Sequence, residues 1–343
     1  MILIGLLIIA IGAFCQSSCY VPINKIKSWS WESYWIVQGV FAWLILPFLG
    51  ALLAVPAGHS LTELFTADQS FNIWMTILFG ALWGVGGLTF GLSMRYLGVA
   101  LGQSIALGTC AGLGTIMGPV LLNIFFPEND PLSQLTMAVI LGVVVTLIGI
   151  AIIGIAGSMK ASSLSEEEKK AAVKDFNFPK GITIALLAGF MSGCFNVGLE
   201  FGSGINFGSL TPDIYKTLPA TLLVTLGGFV TNAVYCFYQN HKNRTWGDYA
   251  NGAVLGNNLL FCLLAGALWY SQFFGLALGK GFLTDSPTLM TLSFCILMAL
   301  NVVFSNVWGI ILKEWKGCSS KTITVLVIGI AVLIVSCFLP QLI

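Results

Sequence analysis

Charge is the property that this sequence lacks most. Only 8% of its 343 residues are Asp, Glu, Lys or Arg, whereas a soluble domain has about 25%. So few charges cannot cover a water-facing surface, which excludes a soluble globular enzyme. The 15 Lys and Arg residues are balanced by 14 Asp and Glu residues, so no basic excess is available for nucleic-acid phosphates. We therefore expect no nucleic-acid partner.

The sequence also lacks motifs for catalysis and for nucleotide binding. It has no GxxxxGK[ST] phosphate loop, which argues against an ATP-driven pump. It has no HExxH motif, and its two histidines, His59 and His241, lie between the apolar runs. No histidine is therefore available inside a membrane to activate a nucleophile. The nine cysteines form no CxxC pair, which favours neither a zinc site nor a disulfide framework. We predict a protein that is not an enzyme and has no cofactor.

Long apolar runs fill the chain instead. Hydrophobic residues make up 57% of it, and the mean hydropathy is +0.92. A bilayer-spanning helix needs about 20 apolar residues, and unbroken runs of that length argue against a transmembrane barrel. The sequence predicts an all-α polytopic membrane protein with ten transmembrane helices. The predicted spans are residues 2–21, 34–55, 73–94, 99–122, 135–156, 182–201, 215–238, 250–276, 289–312 and 323–339.

The placement of basic residues supports this count of spans. All but two of the 15 Lys and Arg residues fall in the breaks that follow odd-numbered spans; the exceptions are Lys216 and Lys280. Cytoplasmic loops are enriched in Lys and Arg. We therefore predict that the odd-numbered breaks face the cytoplasm and that both termini are periplasmic.

Two short segments recur about half a chain apart. GALW occurs at 80–83 and at 266–269, and IGIA occurs at 148–151 and at 328–331. Both recurrences link a span with the span five places later, and five helices per half give the halves opposite orientations. We predict two inverted five-helix repeats, residues 1–157 and 181–343, joined by a cytoplasmic connecting loop at 158–180. Inverted repeats are typical of secondary transporters, whose substrate site lies near the bilayer midplane.

Uncharged polar side chains within the spans are the candidates for a binding site. Each of these side chains either forms a hydrogen bond between helices or faces a cavity. As a set they both donate and accept, which favours a neutral, hydroxyl-rich solute over an ion. Trp83 and Trp269 lie within spans, and an indole face can stack on the C–H face of a sugar. The polar candidates are Gln16, Gln103, Asn196, Asn232, Asn257, Asn258, Gln272, Asn301 and Asn306.

Glu200 is the acidic residue within an apolar run. A carboxylate inside a membrane is a candidate for proton coupling. If the sixth span begins near residue 181, however, Glu200 lies roughly 28 Å along it at 1.5 Å per residue. That depth also fits an ordinary carboxylate at the membrane surface, and both interpretations stay open.

Several segments resemble one known family. KIKSWSWESYW at 25–35, FGALWGVG at 79–86 and GLSMRYLG at 91–98 are similar to the bacterial L-rhamnose–proton symporters. Shorter similar segments are GTIMGP at 114–119, Gly227-Gly228 with Asn232, WYSQFF at 269–274 and KEW at 313–315. The similar segments run in order over nearly the whole chain.

The resemblance implies a member of the drug/metabolite transporter superfamily in the bacterial inner membrane. Its implied activity is the import of L-rhamnose, a 6-deoxyhexose, with a proton. Aromatic side chains would suit the methyl group of such a sugar, and the lipid bilayer is the implied surrounding. Glu200 is the predicted proton-coupling residue. The predicted substrate-binding residues are Trp83, Asn232, Asn258, Trp269, Tyr270, Gln272 and Asn301.

Other functions remain open from the sequence. The same scaffold could serve an exporter or a facilitator of another small metabolite. A membrane sensor or non-transporting scaffold would bind ligand without flux. A membrane enzyme is the weakest alternative, because no catalytic constellation is present. The oligomeric state is not assigned by any pattern.

Overall fold

The structure is a computed structural model that describes residues 1–97, 99–163, 177–313 and 315–339. Among these residues the chain forms helices joined by turns and short 3-10 segments, with no strand. Ten helices are long and apolar enough to cross a membrane, which confirms the predicted all-α polytopic class. Residues 164–176, the larger part of the predicted connecting loop 158–180, lie outside the described residues.

We number the membrane helices in chain order. Their bounds are α1 Ile2–Ile23, α2 Trp31–Leu52, α3 Ser70–Leu97, α4 Val99–Phe125, α5 Met137–Ser162, α6 Phe178–Phe201, α7 Leu218–Asn243, α8 Gly252–Gly281, α9 Pro287–Ile311 and α10 Ser320–Phe338. The recurring GALW segments lie in α3 and α8, and the IGIA segments lie in α5 and α10. The inverted relation between the two halves stays a prediction.

The outer faces of the helices are apolar. Trp74, Ile124 and Val234 are 68%, 67% and 67% exposed. Large exposed apolar surfaces are rare on soluble monomers, whereas the hydrocarbon of a bilayer solvates such surfaces favourably. Helices satisfy their own backbone hydrogen bonds, which a lipid environment demands. The described chain is therefore built to be surrounded by a bilayer.

The chain divides into two compact units. The first unit consists of Met1–Gly84 and Gly198–Thr284, and the second consists of Val85–Val197 and Asp285–Ile343. Each unit therefore combines parts of both halves of the sequence. The predicted repeat boundaries rest on sequence recurrence, and they stay a prediction.

Close helix contacts in the first unit depend on glycine. The Cβ of a larger residue at Gly80 on α3 would overlap the carbonyl group of Val224 on α7. The Cβ of a larger residue at Gly227 would likewise overlap the carbonyl oxygen of Ile77. Small residues let helix backbones approach one another in membranes, so α3 and α7 touch backbone to backbone.

The second unit packs α5 against α10 and α4. Thr146 on α5 donates a hydrogen bond of 3.0 Å to the Ser336 hydroxyl on α10. Gly149 on α5 lies against the side chain of Leu333. Asn196 on α6 donates its amide to the carbonyl oxygen of Gly114 at 2.8 Å. Asn196 thus links two helices within this unit.

A wide turn interrupts the second helix. Residues Val40–Ile45 of α2 are π-helical, between α-helical segments Trp31–Gly39 and Leu46–Leu52. A π segment inserts an extra residue into the turn and occurs frequently at functional sites. Hydropathy carries no signal for a π-helical turn, so the turn is not predictable from the apolar runs.

Alanine at Gly80 is expected to destabilise the protein, whereas alanine at Gly87 on the same helix is not. At Gly80 the new methyl group must displace the α7 backbone, which costs about 1–3 kcal/mol. No neighbouring atom lies within 4 Å of the Cβ position at Gly87, so Gly87→Ala gains about 1 kcal/mol of helix propensity. Thermal unfolding of both variants in detergent measures the difference. Equal midpoints would contradict the backbone contact.

Candidate functional site

Indole rings from three helices meet in the first unit. Trp43 on α2 lies with its ring centroid 5.9 Å from Trp83 on α3 and 5.8 Å from Trp269 on α8, nearly perpendicular to each. Trp83 and Trp269 are 5.6 Å apart. Trp35 adjoins Trp43 at 5.7 Å. We call Trp35, Trp43, Trp83 and Trp269 the indole cluster.

The indole cluster lies halfway along its helices. Trp83 is at the middle of the 28-residue α3, and Trp269 is near the middle of the 30-residue α8. Trp43 lies within the π-helical turn at the middle of α2. Each helix crosses the membrane once, so these rings share a level near the bilayer midplane, where transporters place their substrates.

Two glycines make room for these rings. The Trp43 ring occupies the space that a Cβ on Gly39 would need, at 2.5 Å, and the Trp83 ring does the same at Gly228. The indoles can therefore lie flat against the backbones of α2 and α7. Trp83 and Trp269 keep part of their surface exposed, whereas Trp43 is buried.

Asn232 on α7 holds one ring of the indole cluster in place. The Trp35 indole N–H donates to Asn232 Oδ1 at 2.9 Å, and Asn232 Nδ2 donates to the Gly228 carbonyl at 2.8 Å. Both the oxygen and the nitrogen of the Asn232 amide therefore have hydrogen-bond partners within the protein. A buried, fully satisfied amide fixes the geometry of its neighbours, so Asn232 acts on the cluster through Trp35.

The other predicted polar residues are spread along the chain. Gln272 is buried on α8, where Nε2 donates to the Trp269 carbonyl at 3.2 Å. Its backbone lies against Gly12 of α1. Tyr270, next to Trp269, is 6% exposed and its hydroxyl lies against Gly50 of α2. Asn301 is buried on α9 in the second unit.

Asn258 lies away from the indole cluster. It is 11 residues before Trp269 on α8, about 16 Å along the helix axis. Its Oδ1 accepts the Lys27 backbone N–H at 3.0 Å, and its Nδ2 donates to the Lys27 carbonyl at 2.8 Å. The amide therefore pairs with the backbone of the α1–α2 loop as a neighbouring strand would.

Two carboxylates extend this attachment of the α1–α2 loop. Glu32 is buried and accepts hydrogen bonds from Asn243 and Thr245, each 2.9 Å long. Asp248 accepts both the backbone N–H and the hydroxyl of Ser30 at 2.8 Å. We call the set Lys27, Ser30, Glu32, Asn243, Thr245, Asp248 and Asn258 the loop clasp.

The charge of Asp248 is stabilised by the loop clasp. Partial burial raises the pKa of Asp248, but the hydrogen bonds from Ser30 and Ser33 outweigh it, and the pKa lies below its usual value. A lowered folded-state pKa stabilises the protein above the unfolded-state pKa, and the stabilisation is lost as the pH falls through the folded value. The Asp248 carboxylate therefore contributes this stabilisation at neutral pH.

Glu200 has a basic partner. Its carboxylate lies 3.6 Å from the Lys280 ammonium, with the two side chains 19% and 12% exposed. Glu200 is in the last turn of α6, and Lys280 is in the last turn of α8. Lys280 follows Trp269 by 11 residues, about 16 Å of helix. The ion pair and the loop clasp thus lie on opposite sides of the indole cluster.

The comparisons with known proteins agree on one family. A profile of the L-rhamnose-proton symport protein family matches residues 1–342. L-rhamnose-proton symporters of Yersinia pestis (strain Pestoides F) and Yersinia pseudotuberculosis serotype O:1b (strain IP 31758) are each 32% identical to this chain. Each alignment covers 98% of this chain and 96% of the relative. The chain belongs to the L-rhamnose-proton symport protein family.

One of the segments that resemble this family, residues 25–35, contributes to the structure of the first unit. It supplies Lys27, Ser30 and Glu32 to the loop clasp and Trp35 to the indole cluster. The predicted second span, 34–55, leaves Glu32 outside it. The structure includes Glu32 in the first turn of α2.

Sequence reasoning also did not name Trp43. This residue sits in a continuous apolar run, where it resembles any buried aromatic residue. Gly39, four residues earlier, was the available signal, since the ring lies over that glycine. Trp83 and Trp269, by contrast, were named, and the structure brings them together.

Replacing Asn258 with alanine is expected to lower stability without changing sugar affinity. The Lys27 N–H and carbonyl would both lose their partner, at a cost of about 1–3 kcal/mol. Thermal unfolding and L-rhamnose binding in detergent measure the two effects. Asn306→Ala is the matched control, because the Asn306 amide bonds to the Val302 carbonyl of its own helix. A large loss of affinity at unchanged stability would instead make Asn258 a sugar contact.

Proposed function

We propose that this chain imports L-rhamnose together with a proton. The observation that carries the proposal is the family match over residues 1–342. It is supported by relatives named L-rhamnose-proton symporter, which align with this chain over nearly their whole length. The ten membrane helices and the mid-helix position of the indole cluster are consistent with transport. The name of the family implies that a proton supplies the driving force.

The partly exposed rings of Trp83 and Trp269 are the proposed platform for the sugar. An indole face stacks on C–H groups, and a 6-deoxyhexose offers a C–H face and a methyl group. Tyr270 and Gln272 of the first unit remain proposed contacts, and Asn301 of the second unit stays a prediction from the sequence. Asn232 is proposed as a positioning residue that acts through Trp35, because its amide is already satisfied by protein groups.

The proposed orientation follows the basic residues. The predicted breaks after odd-numbered spans carry nearly all the Lys and Arg residues, and this distribution favours a cytoplasmic position for those breaks in a bacterial inner membrane. Both termini are then periplasmic. In this orientation the loop clasp, formed by the α1–α2 and α7–α8 connections and the start of α8, would lie on the cytoplasmic side, and the Glu200–Lys280 pair would lie on the periplasmic side. Two inverted repeats, residues 1–157 and 181–343, would provide alternating access.

Proton coupling is proposed to run through Glu200. Protonation of Glu200 would leave the Lys280 ammonium without its carboxylate, and breaking a buried pair is unfavourable. The two protonation states therefore differ in how firmly α6 is held to α8. A ligand shifts a conformational equilibrium only through such a difference in affinity, so sugar and proton must favour the same inward transition.

Uptake by proteoliposomes tests the function. Purified protein should accumulate labelled L-rhamnose when the outside is more acidic than the lumen, and a protonophore should abolish accumulation. Uptake that ignores the proton gradient would make the protein a facilitator. No uptake of L-rhamnose, with uptake of another solute, would reject the substrate.

Glu200→Gln is expected to abolish accumulation of L-rhamnose against its gradient while sugar exchange across the membrane continues. Glutamine keeps the shape of the side chain and cannot carry the proton. Glu63→Gln is the control, because Glu63 is exposed and bonded to His59 in a loop. Accumulation by Glu200→Gln at the wild-type level would remove Glu200 from the coupling mechanism.

A further inference from the structure

An open groove of about 840 Å³ runs along α5 in the second unit. Its floor is a stripe of side chains within residues 147–162 of α5, where Ile155 is 55% exposed. One wall is formed by residues 104–109 at the start of α4. Ser319 and Thr322, at the start of α10, line one end. The indole cluster belongs to the first unit, so the groove is a separate feature of the chain.

The lining of the groove changes along its length from mainly apolar to mainly hydroxylic. At one end α5 contributes Leu147, Ile150 and Ala151. Gly108 of α4 lies opposite, with the side chains of Leu147 and Ile150 3.6 Å from its Cβ position. None of the described lining residues is charged, so the groove suits an apolar chain that carries a polar group at one end. The hydroxyl groups at the other end belong to Ser158, Ser162, Ser163, Ser319 and Thr322.

Basic and aromatic residues lie around the hydroxyl end of the groove. Lys160 is in the last turn of α5, and its ammonium lies 4.8 Å from the centre of the Trp315 ring. Lys321 is in the first turn of α10. Trp315 also lines a smaller cavity together with Lys313 and Lys316. Basic pockets between membrane helices attract the negatively charged headgroups of lipids.

The groove has the depth of one leaflet of a bilayer. Trp and Lys side chains anchor helices at the level of the headgroups, so Lys160 and Trp315 mark the membrane surface. Leu147 lies 13 residues before Lys160, roughly 20 Å along the helix. Half of a bilayer, including its headgroup region, is about 20–22 Å thick. The groove therefore has the length of a phospholipid from its headgroup to the end of its acyl chain.

We propose that this groove binds an anionic phospholipid of the surrounding membrane. One acyl chain lies along the apolar end, against Leu147, Ile150 and Ala151, and the phosphate accepts hydrogen bonds from the hydroxyl groups at the other end. Lys160 and Lys321 select a headgroup of net negative charge. Residues 312–321 carry three lysines and one acidic residue, so their net charge complements such a headgroup. The proposal does not depend on which solute the protein transports.

A sugar and a second copy of the chain fit the groove less well. A sugar needs polar partners around its ring, whereas the inner half of the groove offers mainly alkyl groups. Two copies related by a two-fold axis along the membrane normal would present the same surface to each other. The lysines around both grooves would then meet at one level, and like charges brought together at an interface are unfavourable.

Native mass spectrometry of the protein in detergent tests the proposal with three probes. They are dioleoyl phosphatidylglycerol, dioleoyl phosphatidylcholine and glycerol 3-phosphate. We expect phosphatidylglycerol to bind at least about fivefold more tightly than phosphatidylcholine, which is the contribution of one lysine near an anionic headgroup. Glycerol 3-phosphate has no acyl chain and should not displace either lipid.

Two pairs of variants separate the acyl-chain end from the headgroup end. Ala151→Trp fills the apolar end and should weaken phosphatidylglycerol about tenfold, as the loss of one buried alkyl contact predicts. Ile148→Trp is its control, because Ile148 is 49% exposed on α5 and does not line the groove. Lys160→Gln should weaken phosphatidylglycerol about fivefold and leave phosphatidylcholine unchanged. Lys242→Gln is its control, at an exposed lysine in the last turn of α7.

Equal binding of the two lipids by wild-type protein would overturn the proposal, and so would wild-type lipid selectivity in Lys160→Gln. The second result decides the question even if Ala151→Trp does not fold. Displacement of phosphatidylglycerol by glycerol 3-phosphate would show a phosphate site without an acyl-chain groove. A wild-type dimer that Ala151→Trp dissociates would assign the groove to a second copy. Loss of L-rhamnose binding in Ala151→Trp, with lipid binding intact, would assign the groove to the sugar, and each of these three results contradicts the proposal.

Discussion

A polar group within a lipid bilayer must find its partner inside the protein, and this constraint organises the whole structure. The backbone meets it by forming ten helices. Asn232 and Asn258 meet it by pairing with an indole N–H and with the Lys27 backbone. At the helix ends, the carboxylates of Glu32 and Asp248 accept hydrogen bonds from neutral donors.

Helix α8 links the three functional parts of the first unit. Asn258 near its start belongs to the loop clasp, Trp269 near its middle belongs to the indole cluster, and Lys280 in its last turn pairs with Glu200. Each step covers 11 residues, about 16 Å of helix. Any tilt of α8 would therefore change all three contacts together. In the proposed mechanism, this is the route by which a proton at Glu200 and a sugar at Trp269 would influence one another.

Local properties of the sequence predict some of this arrangement and not the rest. Hydropathy predicts ten spans because the lipid acts on each residue separately, and the positions of Trp83 and Trp269 within spans follow directly. Hydrogen-bond partners cannot be predicted from local sequence, because Asn258 and Lys27 are 231 residues apart. The amide of Asn258 therefore resembled a substrate contact as much as a structural one. The π turn around Trp43 depends on packing against other helices, so no periodic pattern in the sequence predicts it.

The central claim is that a neutral sugar and a proton cross together through the region of the indole cluster. Charge movement on a solid-supported membrane tests it most directly, because L-rhamnose itself carries no charge. A jump in L-rhamnose concentration should give a transient current of positive charge into wild-type proteoliposomes, and Trp269→Ala should reduce it at least tenfold. Entry of labelled sugar without any current, or an undiminished current in Trp269→Ala, would contradict the account.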